Sequence, residues 1–152
     1  MAAGVTIKVE GLKDLDRALG ELGKSAGKAV LRRVAKKALE PFDAAWRQKA
    51  PHLTGELETS GGIGTKLTQR QARLNRKRED KSSIEMFAGP NNPAAVPQEF
   101  GTVDQRAQPF MRPAWEQTQS EVLVNVETSL GSEIEKTAKR QQAKAARLAA
   151  KG

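Results

Sequence analysis

A chain of 152 residues with 38% apolar side chains has room for one domain with a modest core and argues against two. Lys and Arg number 26 against 18 Asp and Glu, giving a formal charge of +8 and a sequence pI near 10.0, which favours anionic partners without specifying a fold. The absence of cysteine excludes disulfide frameworks, thiolate catalysis and the usual structural zinc sites, and the lack of a signal-peptide pattern or a long apolar run argues against secretion and membrane spanning.

The first readable element is residues 5–9, where Val5, Ile7 and Val9 alternate with Thr6 and Lys8 as in a half-buried strand. Gly11 breaks the alternation, and Leu12, Leu15, Leu19 and Leu22 then fall on one face of a short amphipathic helix. A longer helix is predicted over 25–49, with Ser25 as N-cap and Ala29, Val30, Val34, Ala38, Phe42 and Trp46 at helical spacing. Pro41 inside that pattern predicts a kink or two consecutive helices, and Pro51 ends it.

From 53 to 87 glycines recur, and short antiparallel strands are predicted near 63–68 and 83–87. Between them, residues 66–81 hold Lys66, Arg70, Arg73, Arg76, Lys77, Arg78 and Lys81 against only Glu79 and Asp80, which reads as a mobile basic hairpin loop. Residues 89–97 contain Pro90, Pro93 and Pro97 and read as irregular, followed by an edge strand over 98–102. The last element is a helix from Pro113, with Trp115, Val122, Val126 and Leu130 on one face and Gly131 as its end or a bend. Phe42 and Trp115 are expected in the core between this helix and the second. Residues 136–152 contain six cations and no acid, and read as a basic tail that is either a solvated helix or disordered.

The element order predicts an α+β fold, in which a small antiparallel β-sheet of about four strands is packed by two N-terminal helices and one long C-terminal helix. It forms a single domain over 1–135, with the tail outside it. A small open sheet needs its edges covered, and ring assembly is one ordinary way to do so.

Catalytic chemistry finds little support. His52 is the only imidazole and has no cysteine or acidic cluster at ligand spacing, the pairs Asp14/Asp16 and Glu56/Glu58 read as solvated, and the glycines at 61–64 lack the Gly-Lys-Ser/Thr ending of a phosphate loop. No catalytic residue, metal or cofactor is expected. The basic segments could neutralise phosphates, but few aromatics interleave with them and no nucleic-acid-binding motif frames them.

Four stretches taken together carry a resemblance: Gly-Leu at 11–12 after the first strand, Pro-His-Leu-Thr-Gly-Glu-Leu at 51–57, Glu-Phe-Gly-Thr at 99–102, and Gln-Pro-Phe-Met-Arg-Pro-Ala at 108–114. In this order they resemble the tail-completion, or head–tail joining, family of long-tailed lambda-like bacteriophages, over residues 5–135. The resemblance implies a non-enzymatic virion structural protein of the head–tail junction, made in the host cytoplasm. It implies a homo-oligomeric ring, six-fold favoured, between the connector and the tail-terminator or tail-tube proteins, with no membrane contact. Thr54, Gly55, Phe100, Gly101, Thr102, Pro109 and Phe110 are then structural positions: the glycines and Pro109 fix turns, and the two phenylalanines anchor loops in the core or against a neighbour. Arg70, Arg73, Arg76, Lys77 and Arg78 would line the channel near packaged DNA or dock on an adjacent ring. The alternative reading is a sequence-independent nucleic-acid-binding basic protein.

Overall fold

A computed structural model describes residues 20, 24–52, 54–78 and 83–151. The strand predicted at 5–9 and most of the leucine-faced helix at 12–22 lie outside those residues. Helix α1, Lys24–Lys49, turns Val30, Val34, Ala38, Phe42, Ala45 and Trp46 inward at three- and four-residue steps. It runs unbroken through Pro41, so two consecutive helices are not what forms. Ala38, Phe42, Ala45 and Trp46 bury side chains on both sides of the missing donor, and that burial holds the helix together across it.

Helix α5, Met111–Ala149, is the other long element, and Ala114, Val122, Leu130 and Ile134 form its buried stripe. Val30 and Val34 near the start of α1 pack on Leu130 and Ile134, whereas Trp46 near its end packs on Phe110, so the helices are antiparallel. Arg33 Nε donates to Glu133 Oε2 at 2.9 Å on the rim of this seam. The hydroxyls of Thr118 and Thr137, which the seam also buries, donate to the carbonyls four residues back and leave no unsatisfied group.

Shorter elements close the Trp46 end. Helix α2, Glu56–Thr59, buries Leu57 in the same cluster as Trp46. Strands β1, Gly62–Gly64, and β2, Phe87–Gly89, pair antiparallel with Ile63 opposite Ala88. Gly61 has φ +70°, and a Cβ there would lie 2.0 Å from the Gly89 carbonyl oxygen, so this crossing admits only glycine. Between the strands lies helix α3, Gln69–Arg78, and before α5 lies helix α4, Ala95–Phe100.

The expected α+β fold with a four-stranded sheet is therefore corrected. Among the described residues 69% are helical, in five helices, and the sheet has two strands. The basic hairpin loop of 66–81 is mostly α3, because Thr68 and Gln71 form a capping box: Gln71 N donates to Thr68 Oγ1 and Thr68 N to Gln71 Oε1. The edge strand at 98–102 is instead the end of α4 and a turn. Asn92 Oδ1 accepts from Ala94 N to start that helix, and Pro97 falls in its first turn, where no donor is needed. The irregular stretch thus ends at Ala94 rather than Pro97. Gly131 does not end α5, which continues to Ala149. Trp115 is not in the core: it is 44% exposed, with its ring edge-on to buried Phe42 at 5.5 Å.

Trp46→Ala and Phe110→Ala, each removing a fully buried ring, are expected to lower stability by about 3–5 kcal/mol in urea unfolding, with Trp115→Ala losing clearly less. Gly131 is exposed within a helix and a Cβ there meets nothing within 4 Å, so Gly131→Ala should raise stability by about 1 kcal/mol in the same measurement.

Candidate functional site

The first turn of α5 needs partners for its unpaired backbone N–H groups, and Phe110, at the N-cap, supplies none from its side chain. Glu99 at the end of α4 supplies them. Its Oε2 accepts from Phe110 N at 2.7 Å and Met111 N at 2.9 Å, and its Oε1 accepts from Arg112 N at 3.2 Å. The next residue is Pro113, which has no N–H, so one carboxylate completes the helix start.

Arg112 closes the arrangement from outside. Its Nε donates to Glu99 Oε1 at 3.0 Å, its Nη2 donates to the Glu99 carbonyl at 3.3 Å, and its guanidinium lies 5.5 Å from the Phe100 ring centre. Burial alone would push the Glu99 carboxyl up, but the N–H groups of Met111 and Phe110 and both donors of Arg112 outweigh it and hold the carboxyl below its ordinary value. The helix dipole acts in the same direction.

The intervening chain folds back over this clasp. Gly101 turns at φ +77°, where an added Cβ would stand 2.8 Å from Ala107 N. Thr102 N donates to the Gln105 carbonyl, and Gln108 N to the Gln98 carbonyl, both at 2.8 Å. The stretches 99–102 and 108–114 are thus one structural unit. Together with the start of α4 it carries outward three exposed apolar side chains: Val96 at 63%, Phe100 at 67% and Val103 fully exposed. Of the two phenylalanines expected in the core or against a neighbour, only Phe110 is in the core. Phe100 is turned outward because Glu99, its neighbour on the helix, faces inward. Pro109 and Thr102 are exposed.

The Thr-Gly-Glu-Leu turn lies at the same, Trp46 end of α1. Gly55 adopts φ +75° as the N-cap of α2, and Thr54 Oγ1 accepts from Glu56 N at 3.4 Å. Arg47 donates to Asp43 and to the Glu58 carbonyl and covers the Trp46 ring at 4.6 Å, tying α2 to the core. Exposed His52 places Nδ1 2.9 Å from Oε2 of half-buried Glu58.

Of the candidate phosphate or ring contacts, Arg70, Arg73, Arg76 and Lys77 are exposed on α3; Arg78 ends the helix. Asn75 Nδ2 donates to the Thr65 carbonyl at 3.2 Å and fixes the inner face of α3. The structure does not bring this basic helix together with the Glu99 clasp into one pocket.

Among the described residues no group of three or more His, Asp or Glu is placed to hold a metal ion, and no helix is long and apolar enough to cross a membrane. Reasoning from sequence missed Glu99 and Arg112 as a pair. A signal was available, since a helix opening on Gln-Pro-Phe-Met-Arg-Pro has no Ser, Thr, Asp or Asn to cap it and must draw its cap from elsewhere. No protein-family model, curated protein or solved structure matches the chain.

Glu99→Ala, which leaves three backbone donors and a guanidinium without their anion, is expected to cost about 3–5 kcal/mol in urea unfolding. Because folding lowers the Glu99 pKa, its contribution is present at neutral pH and is lost as pH falls below the unfolded carboxylate value of about 4.3. Glu99→Gln should therefore be less stable than the wild type at pH 7, and the gap should narrow in melting curves taken down to about pH 3.

Proposed function

We propose that this chain is a non-enzymatic structural protein of the head–tail junction of a long-tailed bacteriophage, one subunit of a ring, six-fold favoured, that joins the connector to the tail tube. The observation that carries the reading is the clasp. Two of the sequence stretches behind the resemblance, twelve residues apart at Glu99 and Met111, meet in one carboxylate-locked unit that displays Val96, Phe100 and Val103 to solvent. An apolar group of this kind, held on a rigid helix junction rather than a loose loop, has the properties of a protein-contact surface. In this role the protein is made in the host cytoplasm and resides in the virion. Its neighbours are the connector on one side and tail-terminator or tail-tube proteins on the other.

A second reading, sequence-independent nucleic-acid binding, is favoured by α3, where Arg70, Arg73, Arg76, Lys77 and Arg78 occur without a single acid. In a ring the same helix would face the DNA channel or an adjacent ring, so the readings share the residues and differ in where the protein acts.

Quantitative mass spectrometry of purified phage particles, normalised to the major capsid protein, should find about six or twelve copies per particle. Absence from particles overturns the connector reading. Under the nucleic-acid reading, the triple substitution Arg70→Glu, Arg73→Glu, Arg76→Glu flattens the fall of DNA affinity with salt by about three charges while leaving the melting curve unchanged.

A further inference from the structure

Helix α5 has 39 residues and is about 58 Å long, and its charge is segregated along that length. Residues 111–135 contain Glu116, Glu121, Glu127, Glu133 and Glu135 against one cation, Arg112, which Glu99 already engages. Glu133 in turn is paired with Arg33 and Lys136, while Glu116, Glu121, Glu127 and Glu135 are exposed. Residues 136–151 contain six cations and no acid.

Neither half neutralises itself. Glu121 and Glu127 have no cation three or four residues along the helix, Glu116 has only Arg112, which Glu99 engages, and Arg140, Lys144, Arg147 and Lys151 have no acid at those positions. An exposed helix face that does not need a partner commonly intersperses both signs.

The apolar side chains follow the same division. Leu123 and Val124, 41% and 54% exposed, lie between Glu121 and Glu127 on the outer face of the acidic half. Leu148, 63% exposed, lies between Lys144 and Lys151 on the basic half. Arg140, Lys144, Arg147 and, just past the helix end, Lys151 follow one another by four, three and four residues, and so do Glu116, Ser120, Leu123 and Glu127.

We infer that successive copies of this chain associate head to tail through α5, with the basic last turns of one copy lying along the acidic and aliphatic outer face of the first half of α5 in the next. The occupant is a second copy because the two surfaces carry opposite charge and each has exposed aliphatic side chains between its charges. At 100° per residue the two stripes are rotated about 120° from each other around the axis, so a two-fold pair of α5 helices does not engage both at once. The contact is heterologous, the type that closes rings. This rests on the ring reading for its setting in the virion and on the chemistry of α5 alone for the contact.

The test is sedimentation of the full-length protein at low and high ionic strength, with two variants whose folding is checked by thermal melting. One carries Glu116→Lys, Glu121→Lys and Glu127→Lys, and the other Lys144→Glu, Arg147→Glu and Lys151→Glu. The wild type should associate at low salt, where charges act over about 30 Å, and dissociate as salt is raised. Each variant alone, with like charges on both surfaces, should associate at least about tenfold more weakly. An equimolar mixture of the two should recover association, since each then offers the surface its partner needs.

A wild type that stays monomeric at low salt, variants that associate as well as the wild type, or a mixture no better than its components would each overturn the inference. So would loss of retention on duplex DNA by the basic-tail variant with no change in self-association, which would mark the stripe as a phosphate contact. A monomer in solution with about six or twelve copies per particle defeats this contact and leaves the connector reading standing. Charge-restored association with no copies in particles does the reverse.

Discussion

The start of α5 depends on one carboxylate. Glu99 stands where three backbone N–H groups converge, and a proline at the next position means that no fourth is left over. An ionised acceptor there exceeds any neutral cap in strength, and the positive end of a 39-residue helix adds to it. Because Glu99 belongs to α4, the same contact fixes α4 against α5 and closes the loop from Gly101 to Phe110. Phe110 is thereby placed on Trp46 at 6.2 Å, where it completes the core at that end of α1. The antiparallel seam and the clasp support each other: the seam aligns the helices, and the clasp sets where α5 begins.

The inward turn of Glu99 has an outward counterpart. On a helix, neighbouring residues point to different sides, so burying Glu99 turns Phe100 to solvent, where Arg112 lies over its ring. Val96, four residues earlier, shares that outer face. The contact that stabilises the fold therefore also displays an apolar surface, which links the chain's stability to its proposed role in assembly. A structural protein of a ring needs rigid contact elements more than it needs a pocket, and the helix junction supplies them.

Charge is distributed with similar economy. A net of +8 is not spread evenly: α1, α3 and the last turns of α5 are basic, while the first half of α5 is acidic. The seam between α1 and α5 uses few charges, mainly Arg33 with Glu133, whose exposed geometry adds little stability.

The chain by itself determined those features whose physical cause lies within a few residues. The apolar period of α1 and the Val122 to Leu130 stretch of α5 could both be read from it. The Thr68 and Gln71 capping box was as legible, and the charge around it hid a helix that local rules specify. The tertiary structure decided the rest. Residues 98–102 have the composition of a short edge strand, yet Glu99 is helical because its partners at Phe110, Met111 and Arg112 lie 11 to 13 residues away. Trp115 has helical core spacing, yet the α1 seam is narrow enough to bury Phe42 and leave the indole half outside. Of the four expected strands, the one at 98–102 is lost because Glu99 directs it into α4, and the one at 5–9 lies outside the described residues. Periodicity states which side of an element is apolar; only the partner it meets determines how much of that side is covered and which backbone donors remain to be capped.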